Sequence, residues 1–323
     1  MNVNKSIRKA VQLIVTVLIF YIIFRKFDIN LLDTLKKVNP WYLLLACVLR
    51  LVVSPILYIN RWKLFLKHSG VEEKFFSLLK ISMISAFFGM ALPSSQGADV
   101  VRMVMIEKRH KGLKIQNTTS STVLIERIIG FVILALMGLI FTIITDFPDK
   151  YTVLLIIVAI NILLWLAVFF ITNRKCYEYV TRILSKFGRF KGLVDFISRT
   201  YYSFLTFPYK KVLLSSIVII LLFQLNTVLI VFCVFKAFSV DVPFIQHLAF
   251  YPIIGILSTI PIAISGLGLR EGFFVYFYSL LGVSAATAVS VSLVNYVIET
   301  ALVGVLGGIL YLIDSIKIKK TVE

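Results

Sequence analysis

Charge is scarce in this chain. Only 15% of its 323 residues are Asp, Glu, Lys or Arg, against about 25% in an average soluble domain. Acid is scarcer still: 16 Asp and Glu stand against 34 Lys and Arg, a formal net charge of +18. Cysteine is limited to Cys47, Cys176 and Cys233, which share no paired spacing, so neither a disulfide framework nor a zinc site is indicated. The three histidines, His68, His110 and His247, are isolated from one another. No Walker loop, no D-x-D pair and no G-x-S-x-G elbow occurs, which removes the usual signatures of ATP use, nucleotide-sugar transfer and serine hydrolysis. No cofactor and no metal is expected.

What is abundant is apolar. Hydrophobic residues make up 59% of the chain and the mean hydropathy is +0.94. A single water-soluble core cannot hide that surplus, and intrinsic disorder is excluded for the same reason. A nucleic-acid partner would suit the pI of 9.8 but not the hydropathy. The combination predicts an all-α polytopic integral membrane protein with basic cytoplasmic loops.

The apolar runs are Ala10 to Phe24, Trp41 to Asn60, Phe75 to Leu92, Thr122 to Thr145, Tyr151 to Thr172, Val212 to Phe238, Phe244 to Ile264, and Ala285 to Ile313. The first resembles a signal peptide but ends at Arg25 and Lys26 without a small-residue cleavage site, so it reads as an uncleaved span. The loop 173–211 carries nine Lys and Arg against Glu178 and Asp195, and both termini are basic. By the positive-inside rule these three regions are cytoplasmic. The turns holding Asp146, Asp149 and Asp241 are then outside. Both Arg61–Lys74 and Pro93–Ser120 are basic, so a full span between them would put one outside. A re-entrant hairpin keeps both inside, and a second at Phe244–Arg270 restores the count. The expectation is six full spans plus two re-entrant hairpins, with about eight full membrane helices as the rival. The chain is read as one membrane domain, 1–323, with a first repeat over 1–145, a second over 151–313, and 173–211 as a basic interfacial loop lying on the anionic leaflet.

The repeat rests on two strings. Pro93 and Arg102 are nine residues apart with Gly97 between them; Pro261 and Arg270 are nine apart with Gly266 between them. Each precedes a span carrying an acid, Glu126 or Glu299. Three spans per half is odd, so the halves run oppositely through the bilayer, an inverted repeat. Gly/Pro-interrupted segments in equivalent positions point to a midplane site, and intramembrane charges pair or mark a pathway. The candidate substrate-binding residues are therefore Arg102, Arg270, Glu126, Arg127, Glu271 and Glu299, with Gly97, Asp99, Gly266 and Gly268 in the turns and Pro93 and Pro261 forming the hairpins. Arginine's planar fork suits phosphate. The plainer readings stay open: interfacial anchors for Arg102 and Arg270, and a structural ion pair for Glu126 with Arg127. Arg50 and Lys80 read as snorkelling cations, Gln224 and Asn226 as interhelical hydrogen bonders, and Gly304-x-x-x-Gly308 as a helix-packing motif.

Three strings, GMALPSSQGADVVRM, STVLIERIIGF and SGLGLREG, resemble the lysylphosphatidylglycerol synthase transmembrane (flippase-like) family. That family includes the membrane half of the multiple peptide resistance factors, and the likeness covers nearly the whole chain. It implies flipping of aminoacylated phosphatidylglycerol; other relatives are linked to polyprenol-phosphate sugars and hopanoids. The family's Gly-Gly after the first Pro is here Ser94-Ser95, which bears on substrate. The soluble aminoacyl-transferase domain has no counterpart, so lysyl transfer is not expected and the chain is read as no enzyme. The expected function is movement of an anionic, aminoacylated or sugar-phosphate lipid between leaflets of the plasma (inner) membrane, with a membrane enzyme or a scaffold for a separate synthase or glycosyltransferase as the alternative. Expected partners are membrane lipids (anionic phospholipid or polyprenol phosphate), a separate lipid-modifying enzyme, and further copies of the chain.

Overall fold

The computed structural model describes residues 38–68, 70–90, 97–110, 116–186, 194–195, 197–198, 201–202, 205, 209–260 and 267–322. Among them every regular element is helical. The expected first span Ala10–Phe24, the hairpin prolines Pro93 and Pro261, and Gly266 lie outside the described residues.

Helix α1 (Pro40–Val48) opens on a side-chain cap: Asn39 Oδ1 accepts the Trp41 N–H at 3.0 Å, and Pro40 occupies the first turn, where no N–H is needed. A π-turn, Leu49–Val53, joins it to α2 (Ser54–His68) without a break in direction. Then come α3 (Phe75–Met90), α4 (Gly97–Arg109), α5 (Gln116–Ile144), α6 (Lys150–Thr172), α7 (Arg174–Ser185), α8 (Tyr209–Ala237), α9 (Phe244–Leu257), α10 (Leu269–Ser279) and α11 (Ala285–Tyr296). A second π-turn, Val297–Ala301, leads into α12 (Leu302–Val322).

Five helical stretches are long and apolar enough to cross a bilayer: Pro40–Lys67, Ile125–Ile144, Lys150–Phe170, Leu214–Ala237 and Ala285–Ser315. Five of the six predicted spans fall on them. At 1.5 Å per residue, α3 and α9 are about 24 and about 21 Å long, short of the roughly 30 Å hydrocarbon core. They fall on the two segments read as re-entrant, and each is followed by a second short helix, α4 or α10. The outer surface is apolar: Leu155, Leu163 and Leu214 are 71%, 66% and 77% exposed. In water such a surface would be a liability; against lipid it is the expected solvent face.

One difference from the sequence reading is instructive. Pro93–Ser120 reads as a polar loop, yet residues 97–109 form α4. Its buried face holds Asp99, Arg102 and Ile106, at helical spacings of three and four. The period is there, but charge occupies the inner face, so a hydropathy scan passes over it.

The packing is crossed. Helix α3 lies along α12, the last helix of the chain, while α9 lies along α5. Both contacts need small residues. A Cβ on Gly307 would collide with the backbone carbonyl of Met83, and Gly304 and Gly308 sit against Met90 and Phe87. Gly138 on α5 faces Pro252 and Ile253 of α9. The GxxxG of α12 is thus the seat of a short helix. A core of Phe235, Phe250, Phe274, Phe277 and Tyr278 ties α8, α9 and α10 together, and the expected interhelical bond is present where Asn226 Nδ2 donates to Ser54 Oγ at 2.8 Å.

Candidate functional site

Three groups of charge lie within the apolar bundle. The first is built on Glu126 of α5, which is 2% exposed. Arg61 of α2 and Arg102 of α4 both reach it, the latter with Nη2 3.2 Å from Oε2. Arg102 Nε lies 3.0 Å from Asp99 Oδ1, one turn back on the same helix, and Nη1 donates to the Tyr58 hydroxyl. Asp99 in turn accepts from Arg127 Nε at 2.5 Å. Aromatic faces complete the enclosure: the Arg102 guanidinium lies 5.0 Å from the Trp62 ring and 5.2 Å from Tyr58. Three arginines against two carboxylates leave the cluster at +1. Taking charges out of water is costly unless each is paired, and here a continuous ladder does the pairing across α2, α4 and α5.

The second group opens α10. Gly268 has φ +84, a conformation that favours glycine, and its N–H donates to Glu271 Oε2 at 2.5 Å. The other carboxylate oxygen of Glu271 accepts from Arg270 Nη2 at 2.5 Å and from Ser292 Oγ at 3.1 Å. Arg270 Nε also donates to Ser292 Oγ, and its guanidinium stacks 4.6 Å from the Tyr296 ring.

The third group joins the two π-turns. Arg50 sits in the first and Glu299 in the second. Arg50 Nε donates to the main-chain carbonyl of Glu299 at 3.0 Å and lies 3.9 Å from its carboxylate. Snorkelling was the expectation for Arg50; it instead bridges helices from opposite ends of the chain. Lys80 likewise has a carboxylate partner, Asp314, at 2.6 Å.

Two cavities of about 300 Å³ each adjoin these groups. One lies between the two pairs of short helices, with Gly89 and Ala98 on one wall and Ser258, Thr259 and Arg270 on the other. The second is bounded by Tyr58, Arg61, Asp99, Arg127 and Gln224. Arg50, Ala86, Ala98, Glu299 and Val303 line both. Each volume is at the lower end of ligand pockets, room for a polar headgroup but not for acyl chains.

The predicted residues therefore separate. Arg270 and Glu299 line the first cavity; Asp99, Arg127 and Glu299 line the second. Arg102, 1% exposed, and Glu126 and Glu271 support those side chains from behind. Gly97 is buried at the start of α4. Sequence reasoning passed over Arg61, Tyr58 and Trp62, and gave Arg50 no place in the site. Arg61 ended an apolar run and was counted with the basic loop; the signal available was Tyr58, Arg61 and Trp62 on one helical face at spacings of three and four.

Long apolar helices cross-tied by buried ion pairs define a polytopic α-helical membrane protein. The chain belongs to the lysylphosphatidylglycerol synthase TM region family, whose sequence model matches residues 9–307. Its relatives include a UPF0104 membrane protein of Methanothermobacter thermautotrophicus, 25% identical over 325 residues that cover 93% of this chain and 92% of the relative. A UPF0104 membrane protein of Methanocaldococcus jannaschii is 24% identical over 334 residues, covering 98% of each chain. One from Archaeoglobus fulgidus is 30% identical over 154 residues, 48% of this chain and 46% of the relative.

Proposed function

We propose that the protein carries an anionic lipid, with an aminoacylated or sugar-phosphate headgroup within its range, between the leaflets of the plasma membrane, and that it does so without chemistry on the lipid. The observation that carries this reading is the pair of adjoining headgroup-sized cavities, each lined by an arginine: Arg270, 14% accessible, in one and Arg127, 39% accessible, in the other. Support also comes from the element order, in which a long helix, a short helix, a second short helix and a long helix occur twice. If the two sets run oppositely through the bilayer, Arg127 serves the cytoplasmic leaflet and Arg270 the outer one. Both termini are cytoplasmic in this reading, and the modified lipid comes from a separate enzyme.

The test is scrambling of fluorescent phosphatidylglycerol in vesicles containing the purified protein. Wild type is expected to scramble, with Arg127→Ala and Arg270→Ala each slower by tenfold or more. Scrambling indifferent to both substitutions would remove the assigned site, and a new lipid product by mass spectrometry would replace transport with catalysis.

A further inference from the structure

Among the described arginines within the bundle, Arg50, 20% accessible, is held more loosely than Arg102 or Arg270. Arg102 is in contact with two carboxylates and a hydroxyl at hydrogen-bond range, and Arg270 has Glu271 at 2.5 Å. Arg50 makes one short bond, to the main-chain carbonyl of Glu299, while the carboxylate itself stands off at 3.9 Å. Its remaining N–H groups make no hydrogen bond among the described residues. Glu299 is equally under-used: its Oε1 is buried without a hydrogen-bond partner. A buried carboxylate oxygen without a partner is costly, while the remaining guanidinium N–H groups belong to a side chain that lines both cavities.

The position is as telling as the pairing. Both residues lie in π-turns, the only two among the described residues. Such turns widen a helix by one residue and free carbonyls from the regular ladder, and they occur often at functional sites. Here the main-chain carbonyl of a π-turn residue, Glu299, is the acceptor that Arg50 uses. Both side chains line both cavities, so the contact stands in the wall between them.

We propose that the Arg50–Glu299 contact is an exchangeable partition between the two chambers, and that Arg50 is a headgroup-binding residue shared by both. Without ligand, Glu299 holds Arg50 across the gap and the wall is closed. A net-anionic headgroup in either chamber offers Arg50 two phosphate oxygens in the bidentate geometry that the carboxylate fails to reach, whereas the phosphate of a zwitterionic headgroup is already compensated by its own ammonium. The guanidinium swings to it, and the wall opens only when an anion is present. This rests on the lipid-carrier reading for the identity of the anion, but the wall is tested without measuring lipid movement.

The experiment uses the full chain with Cys47, Cys176 and Cys233 replaced by Ala, bearing either Thr259→Cys in the first chamber or Thr227→Cys in the second. Each is reconstituted into phosphatidylcholine vesicles, and a membrane-impermeant thiol reagent is added outside. With a closed wall the two cysteines report opposite faces, so their labelled fractions add to about one whatever the insertion bias. In Arg50→Ala and in Glu299→Ala, each cysteine is expected to label nearly to completion, raising the sum toward two. Adding phosphatidylglycerol to vesicles of the otherwise unsubstituted protein is expected to do the same. A sum near two in either substituted protein supports the partition. A sum near one in both, with each eluting as a folded species, overturns it; so does a sum near two in phosphatidylcholine alone. No response to phosphatidylglycerol overturns the displacement step. Scrambling that fails while labelling responds as expected would sink the carrier reading and leave the partition standing.

Discussion

At the scale of single residues, two arginines that both read as candidate site residues have different work. Arg102 is enclosed by Asp99, Glu126, Tyr58 and Trp62 and touches neither cavity. Arg127 holds Asp99 from the other side, yet 39% of its side chain is accessible. Removing one partner of a buried ion pair costs about 3–5 kcal/mol. Because Glu126 keeps Arg61 and Asp99 keeps Arg127, Arg102→Ala is expected at the low end, about 3 kcal/mol. It should appear as a lower unfolding temperature in detergent, with near-normal scrambling by whatever fraction remains folded. Arg127→Ala should behave oppositely, with a small change in unfolding temperature and a large loss of scrambling. Equal thermal penalties for the two would refute this division of labour.

At the scale of elements, the short helices depend on absent side chains. Gly89 of α3 meets Ala98 of α4 so closely that a Cβ on Gly89 would lie 2.7 Å from the Ala98 Cβ, and Gly307 of α12 faces the backbone of Met83. Backbone has no rotamer with which to retreat. Gly307→Ala should therefore push α3 off α12 and cost at least about 1–3 kcal/mol, the range for overpacking, whereas Gly130→Ala on α5, with nothing near its Cβ position, should be neutral. Thermal unfolding of the two variants side by side reads this directly. The same elements mark how far the sequence could be read. Long helices announce themselves by apolar runs, and the short helices α3 and α9 by shorter ones bounded by Gly, Pro and charge. Helix α4 escaped because its inner face is Asp99 and Arg102 rather than leucine. The Arg50–Glu299 contact escaped for a different reason: the partners are 249 residues apart, and a π-turn leaves no mark in hydropathy. The matching Pro-to-Arg spacings were legible; which arginine is sequestered and which faces a cavity is a property of packing alone.

At the scale of the whole molecule, the distribution of the 34 Lys and Arg is the expected determinant of orientation. Lys and Arg resist translocation, so the side gathering them is read as cytoplasmic. With α3 and α9 as hairpins, the loop 173–211 with its nine cations and both basic termini share one side, and the turn at Asp146 and Asp149 faces the other. If both short helices crossed fully, 173–211 would be carried outside and the acidic turn brought in, against the charge bias at both places. Ser185 is exposed at the end of α7 and Asp146 in the turn after α5, so single cysteines there, in the cysteine-free background, report the arrangement. Ser185→Cys should react with an impermeant thiol reagent only in inverted membranes and Asp146→Cys only in intact cells. The reverse pattern at both positions, with a C-terminal tag still on the cytoplasmic side, would establish full crossing by both short helices and dissolve the inverted relation between Arg127 and Arg270, since the two arginines would no longer be presented to opposite leaflets by oppositely running elements.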